Sequence, residues 1–127
     1  MDVNNPYMNA DLDERIYMRQ PLRYIQQGDQ YILKLKKAMY GLKQSGQAWY
    51  NCLSTAMHKI GFSRSKSDAA VFYRHGDKGL AIIAVAVENL TITAINDNII
   101  QEIKADLKIF KMKDLGELHW LLNLKIK

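Results

Sequence analysis

One stretch of this sequence has the residue types that bind phosphate groups. Residues 31–66 contain seven lysines and arginines and no acidic residue; since the whole chain carries +5, the remainder carries −2. Such a stretch attracts the phosphate groups of nucleic acids. Its aromatic residues, Tyr31, Tyr40, Trp49 and Tyr50, are of the type on which bases stack. The alternative is a solvated lysine-rich surface that binds no ligand.

A second polar feature lies between two β-rich runs. Glu88 and Asn89 separate residues 80–87 from residues 90–94. Two polar residues between two such runs predict a tight hairpin with Glu88-Asn89 as its loop. The run 80–87 shows no alternation of apolar and polar residues, so it predicts a central strand with both faces covered.

Composition excludes several classes of protein. A length of 127 residues, 48% of them apolar and 24% charged, indicates one globular domain. The single cysteine, Cys52, excludes an internal disulfide, and three scattered histidines do not make a structural zinc site. The longest apolar run has eight residues, against about 20 for a membrane span. We therefore expect no membrane association and no secretion.

Periodicity predicts two amphipathic helices on an antiparallel sheet, an α+β fold. Residues 45–60 carry an apolar stripe that includes Trp49 and Cys52, which indicates packing for both, and Gly61 ends the helix. Residues 96–110 carry a second stripe, with Asn96 as the cap. The predicted strands cover residues 15–19, 31–35, 69–73, 79–87, 90–94 and 117–126.

Four segments resemble the reverse transcriptase of copia-type LTR retrotransposons. Asp2–Leu12 is similar to that family's first catalytic motif, and Glu14–Pro21 to the segment that follows it. Leu35–Ser45, with Ala48–Tyr50, resembles its most diagnostic block, and Met112–His119 its segment after the catalytic turn. The segments occur in the family's order and span nearly the whole chain.

The resemblance implies a particular fold for residues 1–127. It is the reverse-transcriptase palm, a ferredoxin-like antiparallel sheet with two helices packed on one face. The family's fingers region precedes the first motif, and its thumb and RNase H domain follow the last. We therefore expect a truncated palm without fingers or thumb, in which the strand carrying Asp2 is cut and part of the sheet is missing.

The resemblance also implies a catalytic site. The family uses two Mg²⁺ ions held by an aspartate, here Asp2, and by the aspartates of a Tyr-Val-Asp-Asp turn. The matching residues here are Ala86-Val87-Glu88-Asn89. Asp2 and Glu88 would be vestigial metal ligands, while Asn89 removes a negative charge. We expect an inactive polymerase that binds Mg²⁺ poorly or not at all, in which Glu88-Asn89 serves mainly as a turn.

The resemblance further implies contacts to nucleotide and template within the basic stretch and near it. The residues at these positions are Tyr7, Tyr40, Gly41, Gln44, Lys36, Lys37 and Lys43. Two functions stay open: an inactive relic of a retrotransposon polymerase, or a domesticated module that binds nucleic acid or protein through residues 31–66. The partners expected are RNA or an RNA–DNA hybrid, bound weakly, or a second copy or another protein that covers exposed sheet edges. The expected location is intracellular, in cytoplasm or nucleus.

Overall fold

A computed structural model describes residues 1–26, 28, 30–121 and 124–126 of the chain. It confirms an α+β fold with antiparallel sheets and two α-helices. In chain order, the elements are β1 (Asp2–Val3), β2 (Tyr17–Arg19), β3 (Ile32–Lys34), α1 (Ser45–Lys59), β4 (Ser63–Arg64), β5 (Val71–Gly76), β6 (Gly79–Ala86), β7 (Asn89–Ala94), α2 (Asp97–Asp106), β8 (Met112–Lys113), β9 (Trp120–Leu121) and β10 (Leu124–Lys125), with short 3₁₀ helices at Pro6–Asn9, Leu22–Tyr24 and Leu107–Ile109.

The chain divides into two compact units. The smaller unit is Tyr7–Cys52, and the larger one combines Met1–Pro6 with Leu53–Lys127. The boundary falls within α1. In the part of the chain described, neither helix is long and apolar enough to cross a bilayer.

The smaller unit contains a two-stranded antiparallel ribbon of β2 and β3. Beyond the ribbon, the amide of Ala38 donates to the carbonyl of Ala10 at 3.0 Å, and both residues are buried. The start of α1 is held by Ser45, whose buried hydroxyl donates to the carbonyl of Met39 and accepts from the Met39 amide at 3.1 Å. Because a buried hydroxyl needs a partner, this exchange fixes where the helix begins.

The larger unit is built on a six-stranded antiparallel sheet with the strand order β4-β5-β6-β7-β1-β8. Its buried face, the core face, includes Phe72, Ala81, Ile83 and Leu90 from three neighbouring strands. The alternate residues of β6 lie on the opposite face, the open face, where Leu80 is 40% exposed. The prediction that both faces of residues 80–87 are covered is therefore wrong, because Leu80 and Ala86 on the open face are exposed.

The hairpin between β6 and β7 differs by one residue from its predicted position. Asn89 pairs with Ala86, so the two loop residues are Val87 and Glu88 instead of Glu88 and Asn89. Val87 has a φ of +52° and Glu88 is not left-handed. A positive φ at the first central position alone is typical of a type II′ turn, which favours glycine there. The polarity of Glu88-Asn89 suggested that both residues form the loop. Asn89 is instead the first residue of β7, because it pairs with Ala86.

Both predicted helices are confirmed, with one difference at an end. The stop at Gly61 has a φ of +87°, a conformation that glycine adopts without strain. The Asn96 side chain accepts from the Ile99 amide at 3.0 Å, as a cap does. The second helix, however, is α-helical only to Asp106 and then tightens into the 3₁₀ turn at Leu107–Ile109.

Arg74 of β5 contacts both α2 and the connection between α1 and β4. Its guanidinium lies 5.1 Å from the centroid of the Phe62 ring, donates to the carbonyl of Ile60 at 3.2 Å and lies 3.5 Å from the Glu102 carboxylate of α2. Lys78 also binds Glu102, at 2.8 Å. This hydrogen bond from Lys78 lowers the pKa of Glu102. The β5–β6 hairpin is thereby tied to α2.

Two expectations about strands at the ends of the chain have different outcomes. The segment at Asp2, where a cut strand was expected, forms the two-residue strand β1, which pairs with β7 on one side and β8 on the other. A single closing strand over residues 117–126 is not formed. Trp120–Leu121 and Leu124–Lys125 are instead two short strands that pair with each other, while residues 122 and 123 of that prediction lie outside the described residues.

Candidate functional site

The predicted catalytic residue Asp2 lies in the middle of a row that crosses three strands. Asp2 is directly opposite Asn89 of β7 and directly opposite Lys113 of β8. Directly opposed residues of antiparallel strands project from the same side of a sheet, with Cβ atoms about 4.5–5.5 Å apart. We call Asn89, Asp2 and Lys113 the Asp2 row.

The Asp2 row lies on the open face of the sheet. Val3, the next residue of β1, is 1% exposed, and Leu90, the next residue of β7, is also 1% exposed. Because successive strand residues point to opposite faces, Asp2 and Asn89 point away from this buried layer. Asn89 is exposed and Asp2 half-buried. A carboxylate, an amide and an ammonium group thus project from one accessible surface.

Glu88, the other predicted metal position, lies in the hairpin turn instead of the row. Its side chain is half-buried, and its carbonyl accepts from the Val3 amide at 2.8 Å. Two residues before Val3, Met1 exchanges two backbone hydrogen bonds with Leu90 of β7, both at 2.8 Å. These bonds hold the Val87–Glu88 turn beside β1, so Asp2 lies next to this turn.

The three side chains of the Asp2 row do not by themselves fit two Mg²⁺ ions. Mg²⁺ requires several oxygen ligands in near-octahedral geometry, usually with carboxylates among them. Across the part of the chain that the structure covers, no three carboxylate, histidine or cysteine side chains are grouped to hold a metal ion. The row itself offers a single carboxylate, with a neutral amide on one side and a lysine on the other.

The segment after β8 is anchored by an ion pair that the sequence did not single out. Lys104 of α2 donates to the carboxylate of Asp114 at 2.7 Å, and the Gly116 amide donates to its other oxygen at 3.0 Å. The Lys104 hydrogen bond, followed by that from Gly116, lowers the pKa of Asp114. The pair fixes the residue next to Lys113 and so helps to place the Asp2 row. The only sequence signal for Asp114 was its position inside Met112–His119, one of the segments that resemble the family.

The predicted nucleotide and template residues all lie in the smaller unit, and several contact acidic or aromatic neighbours. Lys37 forms an ion pair with Asp11 at 2.6 Å. The Gln44 amide donates to Glu14 at 3.1 Å. The acidic segment before residue 30 therefore neutralises part of the basic stretch, which sequence reasoning missed because the two segments are far apart in the chain.

The other residues of this set are more open. Tyr7 and Tyr40 meet edge to face, with ring centroids 4.5 Å apart. Lys36 and Lys43 are exposed. Gly41 is exposed with a φ of +88°, in a turn that favours glycine. These residues keep a basic, partly aromatic surface on the smaller unit.

A groove of about 870 Å³ lies elsewhere in the larger unit and was not predicted. It runs along β7 and α2 and is closed by residues 114–121. Lys104 and Asp114 form part of its wall. Its lining mixes polar and apolar side chains and contains Asn89 but not Asp2. The groove is therefore adjacent to the Asp2 row without including its carboxylate.

Comparison with known proteins gives a consistent result. The family model described as reverse transcriptase (RNA-dependent DNA polymerase) matches residues 1–127. A putative transposon Ty5-1 protein of Saccharomyces cerevisiae is 34% identical over 128 residues, which cover 99% of this chain and 42% of that protein. No solved structure matches.

Plant relatives are similar over the same region. The retrovirus-related Pol polyprotein from transposon RE1 of Arabidopsis thaliana is 35% identical over 100% of this chain. The polyprotein from transposon TNT 1-94 of Nicotiana tabacum is 33% identical over 99%. The chain spans 9% and 10% of the length of these two polyproteins.

Proposed function

Because the chain belongs to the reverse transcriptase (RNA-dependent DNA polymerase) family, we propose that it is a degenerate palm module that does not catalyse nucleotidyl transfer. The observation that carries the proposal is the pairing of Asp2 with Asn89 across neighbouring strands. Where a metal site needs a second negative charge beside the first, this chain has a neutral amide.

The proposed palm has the ferredoxin-like arrangement, with both helices on one face of the sheet. Two contacts support it. The His58 ring of α1 lies 6.5 Å from the Phe72 ring on the core face, and α2 contacts β7. The opposite face then stays open to present the Asp2 row. We propose that residues 1–127 are this palm.

The loss of charge is the chemical argument for inactivity. Nucleotidyl transfer requires cations that neutralise a triphosphate and activate a hydroxyl group, and these cations must be held by negative ligands. Asn89 can supply one neutral oxygen. Glu88 keeps its charge, but its side chain is one methylene longer than that of aspartate and extends from a residue in the turn. We therefore assign no catalytic step to the row.

Primer extension tests this proposal. The protein is incubated with oligo(dT) annealed to poly(rA), dTTP and either Mg²⁺ or Mn²⁺, and product length is read on a sequencing gel. We expect no extension above the background of the Asp2→Ala variant. Template-dependent extension that Asp2→Ala abolishes would refute the proposal.

A second candidate function is nucleic-acid binding through the basic stretch, residues 31–66. The observation that favours it is the exposure of Lys34, Lys36 and Lys43, which have no acidic partner among the ion pairs of the described residues. Binding through such lysines is electrostatic and weakens as salt rises. Titration of labelled RNA and RNA–DNA hybrid at several salt concentrations tests it, and no binding at low salt would exclude it.

A further inference from the structure

The β2–β3 ribbon presents a mixed basic and apolar face. Tyr17 is opposite Lys34, and Arg19 is opposite Ile32. All four side chains share one side of the ribbon because opposed residues, and residues two apart in a strand, project together. The two cations therefore occupy one diagonal of this square, and the tyrosine and isoleucine occupy the other. We call these four residues the ribbon face.

The ribbon face is open to solvent. Tyr17 is 52% exposed and Ile32 is 60% exposed, and Arg19 and Lys34 are also exposed. Among the residues described, neither cation has a salt bridge, in contrast to Lys37 with its Asp11 partner. Uncompensated charge beside exposed apolar surface is typical of an interaction site.

The ribbon is braced at the end where residues 20–31 connect its two strands, by one side chain. The Gln20 amide group donates to the carbonyls of Gly28 and Tyr31 at 2.8 and 3.0 Å, and its oxygen accepts from the Gln26 amide at 2.8 Å. At the other end, the Leu35 amide donates to the carbonyl of Ile16 at 2.9 Å. An isolated two-stranded ribbon is marginal in water, so these bonds help to hold the ribbon face in shape before any ligand arrives.

We propose that the ribbon face binds single-stranded nucleic acid. A base would stack on Tyr17. Arg19 would neutralise the phosphate on one side of that nucleotide, and Lys34 would neutralise the phosphate on the other side. Diagonal cross-strand neighbours lie about 7–8 Å apart, which leaves room for one nucleotide between the cations. Single strands are favoured over duplexes because a paired base has no free face for the tyrosine. The proposal rests on the nucleic-acid-binding candidate function and adds Tyr17 and Arg19, which lie outside residues 31–66.

Fluorescence anisotropy with 5′-labelled U₁₅ and dT₁₅ tests the proposal. Tyr17→Ala should weaken binding by about 5- to 150-fold, the range that corresponds to one lost base stack, while Tyr17→Phe should bind like the unchanged protein. The double variant Arg19→Ala with Lys34→Ala should reduce the slope of log affinity against log salt by about 1.4, or about 0.7 per phosphate contact.

A matched control uses an exposed lysine of the larger unit. Lys108 is exposed in the 3₁₀ turn after α2, and Lys108→Ala should leave the binding of both oligonucleotides unchanged. Circular dichroism of every variant verifies that the fold is kept. A 15-base-pair duplex should bind more weakly than U₁₅ and should not respond to Tyr17→Ala.

The outcomes distinguish this proposal from the candidate function on which it rests, nucleic-acid binding through residues 31–66. Loss of binding in Lys36→Ala with Lys43→Ala, together with unchanged binding in the ribbon variants, would overturn the ribbon face and keep the basic stretch as the binding surface. No binding of U₁₅, dT₁₅, RNA or hybrid at low salt would overturn both. Competition by polyaspartate as effective as that by U₁₅ would assign the surface to acidic polypeptides and overturn the proposal.

Discussion

The strained residue of the β6–β7 turn gives a prediction that reverses the usual order of alanine and glycine variants. Val87 has a φ of +52° at the first central position of the β6–β7 turn. In this region the Cβ atom crowds the backbone, which costs about 1–2 kcal/mol for a residue other than glycine. Val87 is 56% exposed. Val87→Gly and Val87→Ala both remove its two γ-methyl groups, but only glycine also removes the Cβ atom that causes the strain.

We therefore expect Val87→Gly to be more stable than Val87→Ala by about 1 kcal/mol. In most positions the order is reversed, because glycine gains about 0.5–1 kcal/mol of conformational freedom relative to alanine on unfolding. Comparison of the two variants with each other cancels the loss of the valine contacts. Neither variant needs to match the unchanged protein for the prediction to hold.

Urea unfolding followed by circular dichroism measures the difference. With a dependence of about 1–3 kcal/mol per molar urea, a difference of about 1 kcal/mol shifts the midpoint by about 0.3–1 M. Glu88 is the matched control, because it lies in the same turn without a positive φ. Glu88→Gly should be less stable than Glu88→Ala. Equal or lower stability of Val87→Gly relative to Val87→Ala would refute the strain argument.

Three further changes test the Asp2 row, the cap of α2 and the anchor after β8. Asn89→Asp places a second carboxylate directly opposite Asp2. It should increase Mn²⁺ affinity, measured by calorimetry, because two carboxylates bind a divalent cation more tightly than one. Asn96→Ala removes the cap bond to the amide of the third following residue and should lower the free energy of unfolding by about 1 kcal/mol. Asp114 has a lowered pKa because Lys104 donates to it, so its contribution to stability is present above pH about 4 and is lost as the pH falls through the folded value. Asp114→Asn should therefore make unfolding less dependent on pH in this acid range.

Each of these changes has a control in the same region. Thr93→Asp adds a carboxylate to the open face of β7 opposite Ile82 and should leave Mn²⁺ affinity unchanged. Asn98→Ala changes an exposed residue inside α2 and should not destabilise the protein. Asp77→Asn, in the exposed β5–β6 turn, should leave the pH dependence as it is. A control that behaves like its partner variant would contradict the corresponding argument.

Local patterns in the sequence were sufficient for most secondary structure. The 3.6-residue stripe, the Asn96 cap and the Gly61 stop all depend on residues within a few positions of each other, and each was predicted. The C-terminal segment was harder because its two short strands pair only with each other, and no periodicity over so few residues separates two strands from one. The hairpin between residues 80–87 and 90–94 was also predicted from the sequence, but its loop was placed one residue too far along the chain.

Pairing between distant strands decided what the sequence left open. The polar character of Glu88-Asn89 suggested a loop, but the hydrogen bonds of β7 with β6 and β1 include Asn89 in a strand and put it directly opposite Asp2. Likewise, the sequence gives the number of charges in residues 31–66 but not their partners. Asp11 forms an ion pair with Lys37 and so reduces the net positive charge of this surface.

The sequence by itself determined the family and the two helices, because these depend on residue type and local order. Only the tertiary structure decided which side chains share a face, which cations stay unpaired and which face of the sheet remains open. The physical reason is that strand register and ion pairing join residues that are distant in the chain, and each such contact depends on the others being formed.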